Sequence, residues 1–191
     1  MVKLLRRFFN PFVEIRPEER QKMFLMFSYF FLIMALIYIL KPVRSSLFLT
    51  ELGAQNLRFV YMGEGLFLVL VVAAYIYFSK RLPQNIFSSV VLAFFMSNLF
   101  VFWLLFRRHT PYLSAFFYIW VAAFSITITT QFWILANDLF SPGEAKRLFG
   151  LMISGGSLGG VFGGVFTQTA ISWMKTEDLL LVVAGVLVLC L

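Results

Sequence analysis

The chain has 191 residues, of which 61% are hydrophobic and 13% charged, and its formal net charge is +7. A soluble domain of this length usually carries about a quarter charged residues, so the composition excludes an ordinary water-soluble protein and indicates an integral membrane protein. We interpret the positive charge as the loop asymmetry that orients membrane proteins, and not as a nucleic-acid-binding surface.

Residues 1–22 form an N-terminal segment before the first apolar stretch. Basic and apolar side chains are mixed over residues 2–9, which predicts a short interfacial helix. Pro17, Glu18 and Glu19 are predicted to begin a new helix, because proline is tolerated in the first turn and acids complement the helix dipole. The segment is too long and too acidic for a cleavable signal peptide.

Residues 23–191 are predicted to form a transmembrane bundle. A membrane span needs about 20 apolar residues, and five segments qualify: 23–50, 59–78, 86–106, 112–139 and 148–174. A sixth apolar segment begins at Leu179 and reaches Leu191 after 13 residues, so it is either re-entrant or a truncated span; we expect a truncated sixth helix of a longer protein. The short connections predict that sequential helices are antiparallel.

The basic residues predict the orientation of the bundle. Ten of the 16 Lys and Arg residues fall on the side of the N-terminus, four fall on the opposite side, and Lys41 and Arg44 lie within the first long segment. Because basic loops stay in the cytoplasm, we expect a cytoplasmic N-terminus.

Lys41 and Arg44 follow 18 uninterrupted non-ionisable positions, and the apolar pattern then resumes at Leu47. Each basic residue at a helix centre costs about 2.5–3.5 kcal/mol on insertion scales, so we expect both to face a polar interior. Spacing of three puts them on one helical face, with Tyr38 one turn earlier. Pro42 between them predicts a bend. Alternatively, the span ends at Leu40 and both cations reach the membrane interface.

Glu64 is the only carboxylate of the second segment and needs a buried partner, for which Lys41 or Arg44 is available. The pair is either a structural ion pair or part of a site that exchanges partners when substrate binds. The fourth segment contains Gln131, Asn137 and Asp138, which are either interhelical contacts or the lining of a cytoplasmic vestibule.

The fifth segment repeats a small-xxx-small pattern, which allows close approach of another helix. Its glycines are Gly155, Gly156, Gly159, Gly160, Gly163 and Gly164. The Lys-Ser/Thr ending of a phosphate-binding loop is missing. His109 stands alone in a loop and Cys190 is the single cysteine, so neither a metal site nor an enzyme is expected.

Several short motifs in the fourth and fifth segments occur together in one transporter family. They are Phe132-Trp133, Asn137-Asp138-Leu139-Phe140, Glu144-Ala145-Lys146-Arg147-Leu148-Phe149-Gly150 and the glycine-rich stretch that follows. With these motifs the chain resembles the nucleotide transporter (ATP:ADP antiporter) family. The stretches Pro17-Glu18-Glu19-Arg20 and Lys41-Pro42-Val43-Arg44 are similar to its bacterial members.

The resemblance implies a twelve-helix, major-facilitator-like fold, of which this chain is the six-helix N-terminal half with its sixth helix truncated. It implies exchange of ATP and ADP across the bacterial inner membrane by alternating access, together with a C-terminal half and without a cofactor. By resemblance, Lys41 and Arg44 face the phosphates and Glu64 is a gating or pairing acid. The candidate substrate-binding residues are Lys41, Arg44, Glu64, Tyr38, Gln131, Asn137 and Asp138. The alternatives are a transporter of another organic anion on the same fold, or a non-transporting six-helix membrane scaffold.

Overall fold

The chain folds as a helical bundle. The computed structural model describes residues 16–81, 83–107 and 112–188, and within them all regular structure is helical. The α-helices in chain order are α1 (Arg20–Leu52), α2 (Leu57–Ser79), α3 (Gln84–Phe106), α4 (Leu113–Leu139), α5 (Pro142–Ala170) and α6 (Leu179–Val188). Short 3₁₀ helices, Ala54–Asn56 and Thr176–Asp178, precede α2 and α6. The prediction of an all-α protein is confirmed for this part of the chain.

Helices α1 to α5 are each long and apolar enough to cross a membrane. This finding agrees with the prediction of a multi-pass membrane protein. The first four predicted spans match the observed helices to within three residues at either end. Residues 2–9, His109, Cys190 and the end of the sixth segment lie outside the described residues, so the predictions made for them stay predictions.

The fifth predicted span, 148–174, differs from the observed helix, since α5 covers Pro142–Ala170. The backbone N–H and the hydroxyl of Ser141 both donate to the carboxylate of Glu144 at 2.8 Å, and Pro142 occupies the first turn. This arrangement fixes the start of the helix in its polar sequence, before the apolar run begins. Counting apolar residues alone overlooks such a start.

Helix α1 runs without a break through Pro42 to Leu52. The helix itself therefore continues past Leu40, and the alternative in which the membrane span ends there stays a prediction. The helix ends at Gly53, whose φ of 73° is readily adopted only by glycine and whose N–H donates to the carbonyl of Leu49. At the other end Glu19 is the N-cap residue, whose carbonyl accepts from the N–H of Met23, so the helix begins where the sequence predicts, with Pro17 and Glu18 in the turn before it.

Helix α1 is the centre of the bundle and packs against α4, α5 and α6. Helix α3 packs against α4 and α6, and the indole N–H of Trp103 donates to Asp178 at 3.1 Å, which attaches α3 to the start of α6. Helix α2 contacts mainly α4, and Val60 is its only buried residue. Lipid is as apolar as these side chains, so close packing and polar contacts, more than the hydrophobic effect, hold the helices together.

The closest helix pair is α1 with α5, and glycines make it possible. A Cβ atom at Gly155 would lie 2.9 Å from the carbonyl oxygen of Phe27, and one at Gly163 would lie 2.5 Å from that of Ala35. A Cβ at Gly159 would overlap the carbonyl of Phe31. Residue numbers rise together along the two helices, so α1 and α5 are parallel.

Gly156 and Gly160 face side chains of α1 in the same contact, the ring of Phe30 and the ring of Tyr38 respectively. Gly164, predicted as a sixth packing glycine, makes no such contact in the described part of the chain, because nothing described lies within 4 Å of a Cβ added there. Every fourth residue of an α-helix advances about 40° around the axis. The row that begins at Gly156 has therefore turned away from α1 by the time it reaches Gly164.

Candidate functional site

Arg44 of α1 and Glu64 of α2 form an ion pair inside the bundle. Nη1 of Arg44 lies 3.8 Å from Oε2 of Glu64, and the two side chains are 13% and 18% exposed. The same Nη1 donates a 3.0 Å hydrogen bond to the backbone carbonyl of Tyr118 on α4. One guanidinium group thus connects three helices.

Tyrosines complete this polar cluster. The guanidinium carbon of Arg44 lies 4.1 Å from the centroid of the Tyr118 ring, a cation–π contact. The Tyr118 hydroxyl donates to the hydroxyl of Tyr61 at 3.2 Å, and the ring of Phe48 packs against Tyr118 edge-on. We call Arg44, Glu64, Tyr118 and Tyr61 the three-helix cluster. Its cation is met by a carboxylate, a carbonyl and an aromatic face, which together replace water.

The three-helix cluster lies toward the end of the bundle opposite the N-terminus. At a rise of about 1.5 Å per residue, Arg44 is about 12 Å from the end of α1, Glu64 about 10 Å from the start of α2 and Tyr118 about 8 Å from the start of α4. Short connections bring these three helix ends to a common level. Side chains at similar distances along their helices therefore meet.

Two atoms of the cluster remain without a hydrogen-bond partner in the described structure. Nε of Arg44 and Oε2 of Glu64 are both buried and unpaired in this sense. The 3.8 Å separation is too long for a hydrogen bond, so the two groups attract each other only as charges. Arg44 thus keeps hydrogen-bonding capacity that an anion with suitably placed oxygens would use.

Lys41 lies in a different environment from Arg44. Its side chain is exposed, and its Nζ is 5.4 Å from the centroid of the Tyr38 ring. Within the described ranges no carboxylate lies within ion-pairing distance of it. The predicted common face is therefore only partly realised, with Arg44 turned toward α2 and α4 and Lys41 toward the surface.

Tyr38 lines an open groove between α1 and α5, which we call the α1–α5 groove. The groove has a volume of about 840 Å³, with Trp133 of α4 contributing to one wall. Gly160 and Gln168 are among its other lining residues. Lys41 follows Tyr38 by three residues, so its ammonium group is within reach of a solute at that level of the groove.

Gln131 lies neither in the three-helix cluster nor in the α1–α5 groove. It is 3% exposed and lines a cavity of about 580 Å³ between α1, α3 and α4, which we call the inner cavity. Gln131 follows Tyr118 by 13 residues on α4, so it lies about 20 Å along the helix from the three-helix cluster. Substrate contacts to Gln131 and to Arg44 would therefore come from different ends of the bundle.

Asn137 and Asp138 are exposed in the last turn of α4. They lie at the end of the bundle that also holds the starts of α1 and α5. They are a further helix turn or more from Gln131 and are remote from Arg44. The structure therefore does not bring the seven candidate substrate-binding residues into one site.

Sequence patterns alone do not single out Tyr118 and Tyr61 as members of the site. Counting residues from the short connections at the end of the bundle opposite the N-terminus puts Tyr118, Arg44 and Glu64 at similar depth, which is a signal that the sequence contains. Which of the seven tyrosines faces the pair depends on the rotation of each helix about its axis, and that is not readable from apolar runs.

No three His, Cys, Asp or Glu side chains stand together as metal ligands in residues 16–81, 83–107 and 112–188. No protein-family model matches the chain, and no curated protein and no solved structure matches it.

Proposed function

We propose that this chain is part of a secondary transporter that moves anionic solutes of the nucleotide type across a membrane by alternating access. The observation that carries the proposal is the ion pair of Arg44 with Glu64 inside an apolar bundle, one turn from the exposed Lys41. Ionisable groups within membrane helices are costly and usually mark a substrate or ion pathway. The resemblance in motifs supplies the expected substrate class, ATP and ADP.

Lys41 is the first contact for the anion in this proposal. It is exposed, stands beside Tyr38 and makes no ion pair with the described residues. A polyanion enters low-dielectric surroundings only when protein groups replace its hydration. A lysine ammonium provides a movable charge for this purpose, and the open α1–α5 groove gives it access.

Arg44 acts second, by exchanging partners. Its contact with Glu64 is electrostatic only, at 3.8 Å, whereas phosphate oxygens would accept two parallel hydrogen bonds from the guanidinium fork. An arriving anion therefore competes with Glu64 for Arg44. Release of Glu64 frees α2 from α1, which is a physical route from substrate binding to helix movement.

The test is nucleotide binding and uptake by the full protein reconstituted in liposomes. Lys41→Gln and Arg44→Gln each keep much of the side-chain length but remove the cation. The loss of one charge-assisted contact, worth about 1.5–3 kcal/mol, weakens nucleotide affinity roughly ten- to a hundredfold. Arg44→Lys restores part of this loss, because the charge returns without the fork.

Matched controls are available at the surface. Lys175 and Arg58 are exposed basic residues that belong neither to the three-helix cluster nor to the α1–α5 groove. Lys175→Gln and Arg58→Gln should therefore leave nucleotide affinity within about twofold of wild type. Wild-type affinity in both Lys41→Gln and Arg44→Gln would refute the anion site. Equal competition by non-nucleotide organic anions would place the chain with transporters of other solutes.

The scaffold alternative is favoured by one specific observation, the contacts that Arg44 of α1 makes with α2 and α4 at once. A purely structural Arg44 in a non-transporting scaffold predicts that Arg44→Gln lowers thermal stability, that Lys41→Gln leaves it unchanged, and that the wild-type protein shows no nucleotide uptake. The transporter proposal predicts a loss of binding in both variants at matched yield. Measuring the two variants side by side separates the two functions.

A further inference from the structure

The inner cavity contains a buried amide that the three-helix cluster does not use. Gln131 is 3% exposed, and neither its Nε2 nor its Oε1 has a hydrogen-bond partner in the described part of the chain. Polar residues in membrane helices commonly serve as contacts between helices. Such a contact needs a partner on the facing helix, and Gln131 has none among the described residues.

Burying such an amide without hydrogen-bond partners lowers the stability of the fold. A buried donor or acceptor without a partner costs about 1–3 kcal/mol, and the amide of Gln131 presents both kinds. Gln84 of α3 lines the same cavity, but its side chain also interacts with the hydroxyl of Tyr75, which is not among the lining residues. The hydrogen-bonding capacity of this cavity therefore rests on Gln131.

The walls of the cavity are mainly apolar and nearly free of charge. Leu25 and Leu32 of α1, Leu92 of α3 and Leu135 of α4 contribute to them. Of the lining residues that the structure describes only Lys22 is charged, and its side chain is exposed near the start of α1. A volume of about 580 Å³ falls within the usual range of small-molecule pockets, about 300–1,000 Å³.

We propose that the inner cavity binds a small, uncharged, planar solute that presents an N–H donor beside a hydrogen-bond acceptor, the edge shared by carboxamides and nucleobases. A glutamine amide pairs with such an edge through two hydrogen bonds, as it does with adenine. The leucines cover the faces of a flat ring. The buried end of the ligand is neutral because Lys22, the one charged residue of the described lining, is exposed near the start of α1 and not buried beside Gln131.

This site is independent of the transport proposal. It lies about 20 Å along α4 from the three-helix cluster and uses none of its residues. Binding at Gln131 therefore survives replacement of Arg44, and anion binding at Arg44 survives replacement of Gln131.

The experiment measures binding of tritiated nicotinamide and tritiated adenosine to the full protein in lipid nanodiscs by equilibrium dialysis. At least one probe should bind saturably, and the one that binds identifies the carboxamide or the nucleobase edge. Unlabelled nicotinamide should displace bound nicotinamide, whereas methyl nicotinate, which has the same ring but no N–H donor, should not. Gln131→Met should weaken binding at least tenfold, since two hydrogen bonds are lost.

The matched control is Gln55→Met, which removes an exposed amide at the opposite end of the bundle and should leave binding unchanged. Ser88→Phe is a second test that keeps Gln131, because a phenyl ring in the lining of the cavity excludes the ligand. Absence of saturable binding of both probes overturns the proposal. So does wild-type affinity in either Gln131→Met or Ser88→Phe.

Discussion

Gly159 of α5 faces the backbone carbonyl of Phe31 on α1 so closely that a single methyl group would overlap it. The contact belongs to a continuous register. Phe27 with Gly155, Phe31 with Gly159 and Ala35 with Gly163 are each separated by 128 residues, the same separation as in the ion pair of Glu19 with Arg147. The ion pair and the glycine row therefore fix the same alignment of two parallel helices.

Gly159→Ala should destabilise the protein. The methyl group meets backbone, which cannot rotate away, and overpacking of this kind costs about 1–3 kcal/mol. We expect a clear drop in the thermal unfolding midpoint of the purified protein in detergent. Gly164→Ala is the control, because its Cβ enters open space and alanine favours the helix by about 1 kcal/mol over glycine. Equal effects of the two substitutions would contradict the α1–α5 contact.

Arg147→Met should destabilise the bundle at the end that holds the starts of α1 and α5. Nη2 of Arg147 donates to Oε1 of Glu19 at 2.8 Å, and the Glu19 side chain is 5% exposed. Removing the cation leaves a buried carboxylate without its charge partner, which costs about 3–5 kcal/mol where burial is complete. The measurement is thermal unfolding at neutral pH.

Lys146→Met is the matched control for Arg147, since the neighbouring side chain is exposed. It should change the unfolding midpoint very little. Combining Arg147→Met with Glu19→Gln should recover part of the lost stability, because a neutral amide is less costly to bury than a carboxylate. A double variant no more stable than Arg147→Met would argue against the ion pair as the cause.

Arg44→Gln should lower stability in a way that Glu64→Gln partly reverses. The single substitution leaves the 18%-exposed Glu64 carboxylate without its cation, a loss of about 1–3 kcal/mol. Adding Glu64→Gln removes the stranded charge, so stability rises while anion binding stays weak. Thermal unfolding and nucleotide titration of the three variants separate the two effects. Full recovery of binding in the double variant would contradict a role for Arg44 in binding.

The cytoplasmic orientation of the N-terminus is tested by cysteine labelling in a Cys190→Ala background. Lys80 and Gln55 are exposed in connections at opposite ends of the bundle. In intact cells, an impermeant thiol reagent should label Gln55→Cys and leave Lys80→Cys unlabelled, because ten of the basic residues lie on the side of Lys80. Permeabilised cells should allow both to react. The opposite pattern in intact cells would reverse the topology.

The sequence by itself determined the helices and the positions of their polar residues along the length of the bundle. Apolar runs of about 20 residues separated by short polar connections leave few alternatives to membrane-length helices, and four spans were placed to within three residues. Short connections also put Arg44 and Glu64 at comparable distances from the same end. The glycine spacing predicted a close helix contact, although not its partner helix.

Only the tertiary structure decided which way each helix faces. Lys41 and Arg44 are three residues apart, which separates their directions by about 60° around the helix axis. That angle suffices to turn Arg44 toward Glu64 and Tyr118 and leave Lys41 exposed. The sequence does not give this rotation, because a lipid-facing surface is as apolar as the interior of the bundle and hydrophobic periodicity cannot distinguish them. For the same reason the burial of Gln131 without a partner in the described chain emerges only when α1, α3 and α4 are packed together.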